Sequence, residues 1–261
     1  MSWWGKVLGG TFGYMLGGPL GALLGAVLGH KFDNGLNMMN LRPGDVERVQ
    51  TAFFTTTFLT MGHLAKADGR VSENEIAQAK FVMEQMQLSP EQMKVAIGLF
   101  NEGKSDDFDL TAVIGQFKQE CGRRRNLEQM FLEILISTAM ADGELHKLEH
   151  DILLKICKHL SFSRITFEKL VQMMQAQRSY NAGGGQQPAY KNIEDAYNML
   201  GVKNDATDGE VKKAYRKLMS QHHPDKLVSR GLPEEMIKIA TEKTVEIKAA
   251  YEQIKKERNI K

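Results

Sequence analysis

Residues 3–29, WWGKVLGGTFGYMLGGPLGALLGAVLG, carry one charge, Lys6, and then continue as an apolar and glycine-rich stretch with no other. About 20 such residues suffice to cross the hydrocarbon of a bilayer as a helix, whose backbone satisfies its own hydrogen bonds. A single transmembrane helix over residues 1–31 is therefore expected. A cleaved secretory signal reads differently, with basic residues ahead of a shorter apolar run and a small-residue cleavage site behind it. Trp3 and Trp4 come first, where an interfacial aromatic belt belongs. Glycine recurs every fourth residue, at Gly5, Gly9, Gly13, Gly17, Gly21, Gly25 and Gly29. On a helix this spacing draws a nearly straight bare groove that lets a second backbone approach closely. Gly9, Gly13, Gly17, Gly21 and Gly25 thus predict a homodimer within membrane lipid, against the plainer alternative of a flexible span. Pro19 kinks such a helix, which a membrane tolerates better than water does. Lys6 precedes the span while His30, Lys31, Arg42 and Arg48 follow it, so the positive-inside rule leans towards a cytoplasmic C-terminal side.

The remainder has the composition of a soluble protein. Over the whole chain 34 basic residues nearly balance 32 acidic ones, which argues against bulk nucleic-acid binding. Cys121 and Cys157 are the only cysteines and lack CxxC spacing, so neither a disulfide framework nor a zinc ribbon is expected; buried free thiols are.

Between residues 43 and 177 apolar residues recur at helical intervals and no alternating pattern competes, which predicts an all-α region. It contains an internal echo: HLAKADGRVSENEI at 63–76 and STAMADGELHKLEHDI at 137–152. Each copy runs Ala-Asp-Gly, an aliphatic residue, then a glutamate seven positions after the aspartate. As structure, one helix ends at the glycine and the next starts at a capping box, Ser72 with Glu75 and His146 with Glu149. As function, Asp68, Glu75, Asp142 and Glu149 form an acidic cluster for a divalent cation or a basic partner, although the loops lack the alternating oxygen ligands of an EF-hand. No metal site is assigned, and capping is the favoured reading. These twin motifs resemble the TerB-like all-helical domain associated with tellurite resistance and membrane stress. The three arginines of CGRRRNLEQ, at a helix start, oppose the dipole; a solvated junction is favoured over contact with lipid headgroups or an acidic partner.

Residues 178–189 contain Gly183 to Gly185 and Pro188 without apolar periodicity, and read as a flexible tether to an independent domain at 190–261. There, helix breaks fall at Gly201 and Pro224, and Thr207 with Glu210 forms a capping box. Val211, Ala214, Tyr215 and Leu218 mark one apolar face; Ile239, Ile247, Ala250 and Tyr251 mark another, so two antiparallel helices can close on each other. The opposite face of the first holds Lys212, Lys213, Arg216 and Lys217, like charges one turn apart, for which an acidic partner or simple solvation is the reason. The sequence HHPDK at 222–226 ends this helix at Pro224 and turns His223 and Asp225 outward. Zinc is excluded by the lack of further ligands at spacing, and a hydrolytic dyad by the lack of a nucleophile.

The run from YNMLGV through EVKKAYRKL and HPDK to EIKAAYEQI resembles the J-domain of the DnaJ (Hsp40) co-chaperones. The resemblance implies that His223, Pro224 and Asp225 engage DnaK, an Hsp70, and stimulate its ATP hydrolysis, while Lys212, Lys213, Arg216, Lys217 and Lys226 meet its acidic surface. The ATP site then belongs to the partner, so no enzyme and no cofactor is expected here. Two departures stand out: LVSRGLPEEM after Lys226 is longer than the usual loop, and no Gly/Phe-rich segment or zinc repeat accompanies it. The order of parts, a transmembrane helix, a TerB-like helical bundle and a C-terminal J-domain helical hairpin, resembles the membrane-anchored DnaJ-like proteins of Gram-negative bacteria. That implies an inner-membrane protein with a short periplasmic N-terminus, its bulk cytoplasmic, linked to envelope-stress and capsule signalling, with an unknown client at the central domain. The alternative is a TerB-type metal- or partner-sensing adaptor with the J-domain as output.

Overall fold

The computed structural model describes residues 45–67, 73–86, 88–140, 143–181, 190 and 192–260, with the isolated Gly21. The expected transmembrane helix and its glycine groove therefore fall outside the described residues, Gly21 apart; among those described, no helix is long and apolar enough to cross a membrane. The described elements are helices: α1 (Asp45–Ala65), α2 (Glu73–Gln85), α3 (Pro90–Gly103), α4 (Leu110–Cys121), α5 (Arg125–Ala139), α6 (Lys147–His159), α7 (Arg164–Asn181), α8 (Ile193–Leu200), α9 (Asp208–His222), α10 (Pro224–Val228) and α11 (Ile237–Glu257). The all-α expectation holds.

Helix α1 is the axis of the bundle. Ala52, Phe53 and every residue from Thr55 to Met61 are buried, as befits a helix covered on all sides. Phe53, Phe117 and Phe131, from α1, α4 and α5, meet edge-on or tilted with ring centroids 4.6–6.2 Å apart, the arrangement that aromatic quadrupoles prefer. Helix α3 crosses α1 with two glycines in mutual register. A Cβ on Gly62 would lie 1.9 Å from the Phe100 carbonyl oxygen, and one on Gly103 1.9 Å from that of Leu59. Only hydrogen side chains let the two backbones approach this far.

The second copy of the repeat keeps the expected capping box, in which Glu149 accepts a hydrogen bond from the His146 N–H at 3.1 Å. Helix α5 itself stops earlier than the glycine, with Met140 as its C-cap, and Gly143 takes φ +118° in the turn that follows. Asp68 and Asp142 lie outside the described residues, as does the side chain of Glu75. Within the arginine run, Arg123 and Arg125 are exposed at the helix start, as a solvated junction requires, and Arg125 is also a bridge. Its guanidinium lies over the Phe162 ring at 3.9 Å, pairs with Glu128 at 2.7 Å, and donates to the carbonyls of Leu160 and Ser161 just past the end of α6. Both cysteines are free and buried, and burial drives their thiol pKa values up, that of Cys157 to about 12.

Helix α7 runs through Asn181 and so takes in the first four residues of the expected tether, 178–181. After the tether, Tyr190 clamps the next domain to itself: its hydroxyl donates to the Glu246 carbonyl at 3.1 Å and its N–H to the Gln253 side chain at 3.2 Å. The antiparallel pair α9 and α11 then closes through buried Val211 and Leu218 on one side and Ile247, Ala250 and Ile254 on the other. Tyr215 and Tyr251 stack with centroids 4.2 Å apart. Helix α8 plugs the end with Tyr197 and Leu200. It stops at Gly201, whose φ of +64° is the left-handed cap that glycine adopts without a steric penalty.

Candidate functional site: an exposed His-Pro-Asp corner

Helix α9 starts where the capping box places it, with Thr207 donating its N–H to Glu210 at 2.7 Å and accepting the Glu210 N–H on its hydroxyl at 3.3 Å. The bond from the Thr207 N–H, joined by one from the Thr207 hydroxyl at 2.8 Å, favours the carboxylate and holds the Glu210 pKa below its usual value. The helix ends at His222. His223 takes an extended conformation, φ −60° and ψ 121°, because the following proline ring disfavours a helical residue before it. The chain then enters another helix: Pro224 opens α10 as its first residue, where a missing N–H costs nothing. The His-Pro-Asp triad is thus a corner between two helices.

The two adjacent histidines have opposite fates. His223, Asp225 and Lys226 are exposed and Pro224 is half-buried, whereas His222 is only 2 % exposed. Lys213, Arg216 and Lys217 are exposed on the outer face of α9 and Lys212 is half-buried. Lys226 reaches back to the Ser220 hydroxyl at 2.8 Å, tying α10 to the last turn of α9. The structure therefore gathers one cationic face and the corner that terminates it. At the far end of the domain, Arg258 stacks on the Tyr197 ring at 4.9 Å and donates to the Asn204 and Ala206 carbonyls, fastening the loop before α9.

Sequence reasoning does not single out His222 as a site residue, although Val211, Leu218 and His222 share one face of α9. Its imidazole nitrogen sits 3.5 Å from the Glu133 carboxylate of α5, and Lys243 of α11 lies 3.9 Å from the other oxygen of that carboxylate. Burial lowers the His222 pKa; Glu133 pulls it up and Lys243 pushes it down. The unfolded chain therefore takes up the proton first, at about the ordinary 6.5. Stability contributed by neutral His222 is complete above that pH and is lost as the pH falls below it, by at most about 1.4 kcal/mol per pH unit. Denaturant unfolding between pH 7 and pH 5 should show a shallower loss of stability for His222→Gln than for the unaltered chain. Burial and the cations Lys155 and Lys66 lower the pKa of His63 in the same direction, so some slope persists in the variant. Equal slopes would place the proton uptake elsewhere.

Glu149, the one described member of the expected acidic cluster with a described side chain, caps α6. Among the described residues no group of histidine, cysteine and carboxylate side chains is assembled to hold a metal ion.

Comparison with known families finds three matches along the chain. Residues 195–261 match the DnaJ domain, residues 55–172 match the tellurite resistance protein TerB family, and residues 1–39 match the co-chaperone DjlA transmembrane domain. Full-length relatives include the co-chaperone protein DjlA of Shewanella oneidensis, 46% identical over 100% of both chains. Those of Coxiella burnetii and Escherichia coli K12 are 44% and 41% identical, again over 100% of both chains. No solved structure matches the chain. With a J-domain and relatives of this kind, the protein is a membrane-anchored co-chaperone, a regulator rather than an enzyme, and its partner is an Hsp70, DnaK. The chain belongs to the DjlA family of co-chaperones, to which its transmembrane, TerB and DnaJ parts assign it over the whole of its length.

Proposed function

We propose that the protein stimulates ATP hydrolysis by DnaK at the cytoplasmic face of the inner membrane. The observation that carries this reading is the exposed corner of His223, Pro224 and Asp225 next to a solvent-facing cationic helix. Lys212, Lys213, Arg216, Lys217 and Lys226 steer an acidic surface of the partner onto α9, since rim charges act chiefly on encounter and orientation. The corner then binds the hydrolysing state of DnaK better than the resting state, which is all that a ligand needs to shift a two-state equilibrium. The assay is single-turnover ATP hydrolysis by DnaK with and without the purified chain. Equal rates would sink the reading.

Anchoring converts a weak encounter into a local one by raising effective concentration, and pairing of two spans doubles the valency. The glycine groove at Gly9, Gly13, Gly17, Gly21 and Gly25 supports such pairing, and the cations after the span support the cytoplasmic placement. Leucine at Gly9, Gly13, Gly17 and Gly21 is expected to weaken self-association in a membrane reporter several-fold, by filling the groove; an unaltered signal would remove the dimer. The TerB-like domain offers a surface for a client, through which the protein serves envelope-stress and capsule signalling. Affinity capture with the full-length protein from solubilised membranes tests this, and recovery of DnaK alone would count against a client.

A further inference from the structure

The corner does not stand free of the helical bundle, which holds both of its flanks. Ahead of it, the C-terminal turn of α9 has carbonyls with no partner in their own helix, and Pro224 has no N–H to offer. Asn126 of α5 supplies a donor: its Nδ2 lies 3.3 Å from the Gln221 carbonyl oxygen. Two turns further along the same face of α5, Glu133 faces buried His222 at 3.5 Å. Gln129, between them on that face, donates to Glu133 at 2.8 Å and orients the carboxylate.

Behind the corner, the long segment 229–233 lies on α1. Leu232 is fully buried, and its carbonyl accepts a hydrogen bond from Gln50 at 3.4 Å. Gly231 adopts φ +102°, and a Cβ there would lie 2.6 Å from the Val49 side chain. The extra length of this loop therefore has a structural use. A third tie is polar and partly buried: Lys243 donates to Gln177 of α7 at 2.8 Å, and Gln177 donates to Glu246 at 3.1 Å. All three ties leave His223, Asp225, Lys213, Arg216 and Lys217 exposed.

We infer that the central bundle is a fixed mount for the Hsp70-engaging corner, with Asn126 and Glu133 as positioning residues that hold residues 221 and 222 and thereby aim residues 223–226. This rests on the reading that residues 223–226 engage DnaK. A mounted corner has already lost the conformational freedom that a free one gives up on binding, so mounting acts on affinity and leaves the bound state unchanged.

The test uses full-length protein in detergent micelles with DnaK in single turnovers. Asn126→Ala and Glu133→Ala are each expected to raise the half-saturating concentration about five- to tenfold, the scale of one lost buried polar contact. Maximal stimulation stays as it was, and amide exchange across residues 219–233 becomes faster. In a His222→Gln background Glu133→Ala should add less than it does alone, because the two share one contact while the Lys243 contact to Glu133 remains to be lost. A purely structural role would not produce this split or this coupling. Should Glu133→Ala fail to fold, Asn126→Ala decides, since its half-buried side chain can be lost without opening the core. Unchanged half-saturation with faster exchange would overturn the mount, and so would a lowered half-saturation, which would make docking a restraint. If His223→Gln stimulates like the unaltered chain, the underlying DnaK reading fails instead, so the two failures are distinguishable.

Discussion

Replacing His223 with glutamine is expected to abolish stimulation of DnaK while leaving the fold intact. The side chain is exposed and makes no capping hydrogen bond to α10, so its removal takes nothing from the domain's own stability. Its backbone, at φ −60° and ψ 121°, is in a region that any residue adopts. Unfolding stability should therefore stay within about 0.5 kcal/mol, as for surface positions free of special features. What is lost is an imidazole at the tip of a rigid corner, displayed where a partner would make its central contact. Truncating such an anchor typically costs about 2 kcal/mol or more, roughly thirtyfold in the stimulated rate at subsaturating protein. Single-turnover hydrolysis reads the loss and denaturant unfolding reads the intact fold. A variant that stimulates normally would remove the assignment of the corner, and one that unfolds would show that His223 has a structural duty not visible in its surroundings.

The largest effect on stability is expected at the crossing of α1 and α3. Alanine at Gly62 or Gly103 places a methyl group 1.9 Å from a carbonyl oxygen of the facing helix. Backbone cannot swing aside as the end of a side chain can, so the helices must separate, and core contacts around Phe58, Leu59 and Leu99 loosen with them. Overpacking of this kind costs about 3 kcal/mol, the upper part of its usual range. The double variant should cost clearly less than the sum of the singles, because one separation relieves both clashes. Gly115 provides the contrast: it sits inside α4, exposed, and a methyl group added there would meet no atom within 4 Å. Alanine at that position should stabilise by about 0.4–1 kcal/mol through lost freedom of the unfolded chain. Urea unfolding of the three variants separates these cases, and equal costs at Gly62 and Gly115 would refute the close crossing.

Much of this molecule is legible residue by residue. The capping boxes at Thr207 and Glu210 and at His146 and Glu149, the left-handed stop at Gly201 and the break at Pro224 all act over three or four residues, within reach of a local pattern. The apolar faces of α9 and α11 are equally plain, since a 3.6-residue repeat shows which side must be covered. The J-domain and TerB parts follow from such signals together with their motifs. The bridging role of Arg125 within the arginine run could not be read locally, because its partners Leu160, Ser161 and Phe162 lie far along the chain, which no helix-dipole argument at residues 121–129 could supply.

The chain's order of residues by itself determined the all-α character, the capping boxes, the stop at Gly201, the cationic face and the corner. Only the tertiary structure decided which of two neighbouring histidines is buried, which glycines are indispensable and what holds the corner in place. The physical reason is the range of the forces involved. Propensity and capping are settled among near neighbours, whereas burial and steric contact depend on whichever surface arrives from elsewhere. Asn126 reaches Gln221 across 95 residues, and Gly62 meets Phe100 from another helix. No pattern read along the chain carries those distances.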